Sequence, residues 1–373
     1  MSGFMMTLFW FLVVLTPVVF VHEFGHFWIA RRNGVRVEAF SIGFGKEIFG
    51  FTDRRGTRWK FSLIPLGGYV KMFGQNDLAP DEEGAESLTE QERAECFFNK
   101  RLGQKAAIVV AGPAANFLFA IVVFALMFTF LGQPFTPARV AEVVPGSAAE
   151  RAGLRQGDLM IEVEGRSIQR FEEVQQLVRL HPGIEIDLVV LREGEHIALK
   201  ATPEARVEDD GLGEEQRIGV LGVMGVGREF KHHDPVTAIW QSARETTRLV
   251  SITLTALGQI VSGDRGTAEL GGPVRIAQMS GVAAEAGLAN LVIFAAFLSV
   301  NLGLINLFPV PLLDGGHLLF YGYEAIRGRP AGARAQELGL KIGLVLVLGL
   351  MVFATLNDLV RLPLIKQFVA LIS

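Results

Sequence analysis

Residues 18–32, VVFVHEFGHFWIARR, decide the fold of this chain. They close an uncharged run that starts at Phe4 and lasts 18 residues, to Val21. His22, Glu23 and His26 follow, and Arg31 and Arg32 end the stretch. An apolar run of this length closed by basic residues reads as a membrane-spanning helix, residues 4–30. Residues four apart share one face of a helix, so His22 and His26 can reach a single ion. Glu23 sits beside them, placed to take a proton from a metal-bound water. At the helical rise, His26 lies about 7 Å and His22 about 13 Å from Arg31, inside the hydrocarbon slab. Ionisable groups at that depth are costly and functional by default. The plainer alternative is a polar helix end in the headgroup layer. No basic residue precedes the run and no small-residue cleavage site follows it, so it reads as a retained helix rather than a signal peptide.

Working outward, three more runs lack charge: Ala106 to Leu131 and Leu288 to Leu313, 26 residues each, and Ile342 to Leu356, 15 residues. The last becomes long enough to span if Leu338 to Lys341 joins it with the lysine snorkelling. The reading is a polytopic α-helical membrane protein of about four transmembrane helices, at 4–30, 105–131, 288–313 and 338–356. Half of the 373 residues are hydrophobic and only 20% are charged, which excludes a soluble fold for the whole chain and excludes disorder. A net charge of −4 argues against nucleic acid as a partner. One cysteine, Cys96, excludes an intramolecular disulfide and a cysteine-cluster metal site.

Basic residues set the expected orientation. Thirteen Lys and Arg lie between Arg31 and Lys105, and Arg327, Arg329 and Arg334 lie between the last two runs. By the positive-inside rule both segments face the cytoplasm, and the N-terminus, residues 132–287 and the tail 357–373 lie outside. The cytoplasmic stretch 31–103 alternates short apolar strands with glycines, with a hairpin turn at Asp53 to Gly56. It reads as a membrane-associated β region followed by an acidic, flexible linker over Asn76 to Glu92. Residues 136–204 read as one compact α+β domain, with Phe171, Val174, Leu177 and Val178 on one helix face. Residues 205–287 follow, with an amphipathic helix around Thr246 to Val261.

A catalytic zinc takes three protein ligands and keeps one position open. No third ligand follows His26 closely, so it must come from afar. Asp314, in NLFPVPLLDGGH, ends the third run on the side where the first run ends. Pro309 and Pro311 break that helix, and Gly315 and Gly316 permit close backbone approach. An aspartate that only caps the next helix is the alternative. His317 reads as a group behind the ligands or a packing residue. Asn306 can hold a substrate carbonyl. Asn116, in the polar break Gly112 to Asn116, can do the same or can bond between helices. Gly43, Phe44 and Gly45 either expose a strand edge to an unwound substrate or only turn the chain.

Five segments together resemble the site-2 proteases, intramembrane zinc metalloproteases: HEFGH at 22–26, FSIGFGKEIF at 40–49 with IPLGGYVKM at 64–72, AGPAANF at 111–117, VPGSAAERAGLRQGD at 144–158, and NLFPVPLLDGG at 306–316. The resemblance covers nearly the whole chain, in order, and is strongest to the bacterial branch that regulates the envelope-stress sigma factor. It implies one zinc per chain held by His22, His26 and Asp314, with Glu23 as general base. It implies substrate contacts from Asn306 and from Gly43, Phe44 and Gly45. It further implies a multi-pass protein of the bacterial inner membrane with its active site near the cytoplasmic side. The implied substrates are transmembrane proteins: an anti-sigma factor already trimmed by another protease, in a stress response, and remnant signal peptides. Residues 136–204 resemble an extracytoplasmic PDZ domain that holds a peptide segment. Well-known members of the branch carry two such domains in tandem; one is found here. Three other readings compete: a membrane zinc protease of another family, a PDZ scaffold without chemistry, and a metal transporter.

Overall fold

Chain segments without charge satisfy their backbone only by coiling, and four such helices dominate the computed structural model of this protein. It describes residues 2–75, 88–168, 170–209, 215–227, 229–262 and 271–360. Among these, Met5–Arg32, Leu102–Phe130, Leu288–Asn306 and Ala333–Leu359 are long and apolar enough to cross a membrane. The chain divides into two units, Met1–Leu126 with Val236–Ser373, and Met127–Pro235.

In the first unit, α1 (Ser2–Arg32) ends on Arg31 and Arg32, whose charge suits the negative end of a helix. β1 (Val37–Thr52) and β2 (Arg58–Met72) are much longer than the short strands expected. Their register explains the length. Residues 39–42 pair with 68–71 and also with 58–61, and 58–62 pair again with 47–52, so two strands fold into four laddered segments. Gly43 and Gly45, both at φ +88°, sit where β1 changes partners. At Gly43 an added Cβ would lie 2.6 Å from the Ile64 carbonyl oxygen, so a side chain is excluded there. The inner end is buried on α1 through Val37, Phe40, Val70, Phe27 and Ala30. The outer end exposes Ile48, Phe49, Phe51, Phe61 and Leu63. At the turn, Asp53 accepts the amides of Arg55 and Thr57 and an ion pair from Arg31, tying the hairpin to the end of α1.

Most of the expected linker, residues 76–87, lies outside the described residues. Its last residues are ordered instead: Thr89 and Glu92 form a reciprocal cap on a helix at Glu90–Glu95. Next comes α2 (Leu102–Phe130), with Pro113 inside it.

The second unit is built on a four-stranded sheet. Its strands are β3 (Leu159–Val163), β4 (Arg166–Ser167), β5 (Ile186–Arg192) and β6 (Glu195–Ala201), in the order β4-β3-β5-β6. Its helix α3 (Phe171–Arg179) buries Phe171, Val174 and Val178 against Met160, Val163, Ile186 and Leu188. Leu177 of the expected face packs partly buried on the same core. The expected boundary at 204 falls inside this unit, because Val223–Gly225 pairs with Val140–Val143 and Leu221 joins the core.

Asp158 is buried here and accepts two bonds of 2.7 Å from the Arg192 guanidinium. Burial pushes its carboxyl up, but the bonds from Arg192 and the Arg155 amide prevail and hold it below the usual carboxylate range. A folded-state pKa below the unfolded one adds stability above the unfolded value of about 3.9, lost as pH falls through the folded value. Thermal unfolding of the chain at different pH is therefore expected to show this unit weakening below about pH 4. Arg192→Ala is expected to lower the thermal midpoint of the chain at neutral pH, because Asp158 loses two of its hydrogen-bond donors.

The first unit resumes with α4 (Pro235–Ser262), which starts eleven residues before the expected amphipathic helix. α5 (Pro273–Glu285) and α6 (Leu288–Asn306) follow. The expected helix 288–313 therefore ends early. Residues 307–313 leave helical geometry around Pro309 and Pro311, and Leu312 takes φ +146°. α7 (Asp314–Arg327) then starts at Asp314, and α8 (Ala333–Val360) begins five residues before the span expected at 338. Residues 361–373, most of the expected tail, lie outside the described residues.

Candidate metal centre

His22 and His26, one turn apart on α1, bring their Nε2 atoms to 3.3 Å. Asp314 Oδ2 lies 3.3 Å from His22 Nε2 and 3.5 Å from His26 Nε2. Both histidines are 8% exposed. Among the described residues, His22, His26 and Asp314 are the one group of metal-binding type. A tetrahedral ion bound at about 2.0–2.1 Å spaces its ligands by about 3.3–3.4 Å, so this triangle has the edge lengths that zinc requires. Two buried side-chain polar atoms among the described residues lack a hydrogen-bond partner, Asp314 Oδ2 and Asn116 Oδ1. Both belong to this cluster. A carboxylate oxygen left without a donor between two imidazole nitrogens suits a cation.

Each side chain of the triangle is held from behind. His26 Nδ1 donates to the Ile108 carbonyl at 2.9 Å, which fixes the tautomer with the Nε2 lone pair free. The Asn116 amide lies 3.2 Å from His22 Nδ1. Turning that amide end for end puts its unbonded Oδ1 where it accepts an Nδ1–H, with the same result for His22. Ser299 donates to the Asn116 carbonyl at 3.0 Å, locking α6 to α2 at this level. Glycines set the approach. A Cβ on Gly112 would lie 2.2 Å from His26 Nε2, and one on Gly25 would lie 2.2 Å from the Ala111 carbonyl oxygen. Asp314 is delivered by the same device: Cβ atoms on Gly315 and Gly316 would meet the carbonyl oxygens of Leu307 and Val310 at 2.2 and 2.3 Å. Gly343 of α8 leaves room for the Pro311 carbonyl, which a Cβ would meet at 1.5 Å.

Glu23, outside the triangle, lines the same cavity of about 810 Å³ as its three members. Gly68 of β2 passes against it, 3.3 Å from Glu23 Cγ if it bore a Cβ. Asn306 also lines the cavity, with Nδ2 donating to the Leu302 carbonyl one turn back. His317 lines it too, outside the triangle.

Two expected substrate contacts are placed differently. Asn116 is fully buried, does not line the cavity, and has its amide against His22 Nδ1. Gly43, Phe44 and Gly45 do not line the cavity; Phe44 instead stacks at 6.1 Å on Tyr69, which does. Sequence reasoning missed Ile108, whose contribution is a backbone carbonyl that any residue offers. It also missed Gly112 as the floor under His26, although the glycine-proline break in a span was the visible signal.

Residues 10–350 match the model of peptidase family M50. The chain belongs to that family. The M50 chain is 45% identical over 355 residues to a zinc metalloprotease, by name, of Agrobacterium fabrum, covering 94% of each protein. It is 35% identical to Protease RseP of Yersinia pestis, covering 96% of this chain and 100% of that one. That alignment spans 464 positions, more than this chain's 373 residues, so a part of the Yersinia protein has no counterpart here. A PDZ domain of a Listeria monocytogenes SdrC-like protein matches 25% of this chain and 90% of its own length, at 17% identity and TM-score 0.20. Membership of M50 makes this a zinc metalloprotease of the site-2 type, a membrane protein with several apolar helices.

Proposed function

We propose that the chain is an intramembrane endopeptidase in which His22, His26 and Asp314 hold one zinc and Glu23 is the general base. The observation that carries this is the triangle of 3.3–3.5 Å edges closed by two residues of one span and a buried carboxylate 288 positions further on. Bound zinc supplies a Lewis acid for the substrate carbonyl and lowers the pKa of a water in its open position. The Glu23 carboxylate takes a proton from the attacking water as its oxygen bonds to the carbonyl carbon. It returns that proton to the leaving nitrogen as the C–N bond breaks. Asn306 presents its amide to the substrate backbone, exchanging its bond to Leu302 for one to the substrate carbonyl.

A peptide bond inside a membrane helix is already hydrogen-bonded, so the segment must unwind before it is cut. The exposed apolar outer end of the β1–β2 hairpin suits contact with lipid, and Gly43, Phe44 and Gly45 at its corner offer backbone to an extended segment. The distribution of basic residues supports a site near the cytoplasmic face of a bacterial inner membrane, with Met127–Pro235 outside. The substrates proposed are transmembrane segments of an anti-sigma factor already trimmed outside, and remnant signal peptides. A groove between α3 and residues 218–223 in the PDZ-like unit suits an extended peptide and so selects among them.

Metal analysis of purified variants tests the ligand set. Wild-type protein is expected to carry about one zinc per chain, Asp314→Asn to lose it together with cleavage, and His317→Ala to keep it. Zinc retained in Asp314→Asn and lost in His317→Ala overturns the assignment.

A further inference from the structure

Asp314, His317, Tyr321 and Glu324 follow one another at spacings of three, four and three along α7, so they share one face, and all line the metal-site cavity. Glu324 stands ten residues from Asp314, about 15 Å along the helix. Opposite it is Lys105 of α2, which also lines the cavity and is only 8% exposed. The Lys105 ammonium lies 5.6 Å from the Phe98 ring, 5.4 Å from the Tyr321 ring and 3.5 Å from Glu324 Oε1. Two aromatic rings and a carboxylate around one ammonium make a complete receptor for a cation. Its present occupant bonds to the carboxylate at the long end of the range. The 3.5 Å separation exceeds the 2.7–2.9 Å typical of a charge-assisted bond. Lys105 also sits in the opening turns of α2, where the helix dipole disfavours positive charge.

We propose that Phe98, Tyr321 and Glu324 form a cation subsite of the protease, filled at rest by the enzyme's own Lys105, that takes a lysine or arginine side chain of the substrate. This rests on the proteolytic reading above. About 15 Å corresponds to four or five residues of extended chain, so the recognised residue lies that far from the scissile bond. α7 leads from the metal site towards Arg327, Arg329 and Arg334, the side read as cytoplasmic. Membrane segments carry their excess Lys and Arg on that flank, so a cation is what an unwound segment brings there. An arginine fits best, because its planar fork can pair bidentately with Glu324 while stacking on the rings. Displaced, the flexible Lys105 stem swings its charge towards water.

The test uses the full-length enzyme in detergent or liposomes and a transmembrane substrate series. One arginine is moved through positions two to eight from the cleaved bond on the cytoplasmic flank, with a glutamine series as reference. Wild type is expected to cut the arginine substrate about 10-fold better in kcat/KM at position four or five, mostly through KM. Glu324→Gln is expected to reduce that preference to within about 2-fold while its zinc content stays normal, and Glu324→Lys to prefer glutamate there. Lys105→Met is expected to lower KM for the arginine substrate by removing the competitor. Should Glu324→Gln fail to fold, as judged by lost zinc, Lys105→Met decides alone. A preference independent of position, or Glu324→Gln and Lys105→Met slowing arginine and glutamine substrates equally, overturns the proposal and leaves Lys105–Glu324 a structural bridge. Loss of all cleavage in wild type with zinc bound instead defeats the proteolytic reading beneath it.

Discussion

A Glu23→Gln variant is expected to bind zinc as wild type does and to cut its substrate about 10²–10⁴-fold more slowly, the usual worth of a positioned proton acceptor. The expectation follows from placement. Glu23 lines the cavity but stands outside the His22–His26–Asp314 triangle, so its charge is not needed to hold the ion. Glutamine keeps the volume and the contact with Gly68 while removing the basic oxygen. Metal analysis together with single-turnover cleavage checks both halves. Zinc loss on this substitution would make Glu23 a ligand, and normal cleavage would leave the reaction without its base.

The second large effect comes from a residue with no functional group. Gly112→Ala is expected to lower zinc affinity by more than the roughly 10–100-fold that loss of a supporting contact costs, and to abolish cleavage at ordinary zinc levels. A single methyl there would lie 2.2 Å from His26 Nε2. The backbone of α2 is tied at this level, since Ser299 of α6 donates to the Asn116 carbonyl. The imidazole is the part that moves, and a displaced Nε2 opens the triangle. The chain itself should fold normally, because Ala is the better helix former by about 1 kcal/mol. Circular dichroism at wild-type intensity alongside lost zinc is the expected pair of readings. Full zinc occupancy would show that the ring finds another rotamer.

The fold was legible wherever a physical constraint acts along the chain. A bilayer demands about 20 apolar residues per span, and four uncharged runs announce the four long apolar helices. Histidines four apart in the first of them declare a metal. Where constraints act across the chain, the reading stopped short. Residues 39–42 pair on both sides, a register that depends on how α1 and the hairpin pack and leaves no period in the sequence. The unit's extension beyond 204 leaves no trace in the sequence, because the strand at 223–225 is three residues long, too short to show a pattern.

The metal centre divides in the same way. By itself the sequence determined which side chains can bind zinc, since only histidine, carboxylate and cysteine donors bind it well and a span admits few of them. It also pointed to Asp314, at the proline-broken end of a distant span, as the proposed third donor. Tertiary structure alone decided the rest: that the buried Asn116 amide lies against His22, that Ile108 orients His26 through a carbonyl, and that Gly112 and Gly25 leave the rings their space. The reason is that orientation within a tenth of a nanometre is set by contacts between helices, and those contacts use backbone atoms and missing side chains, which carry no chemical signature in a sequence.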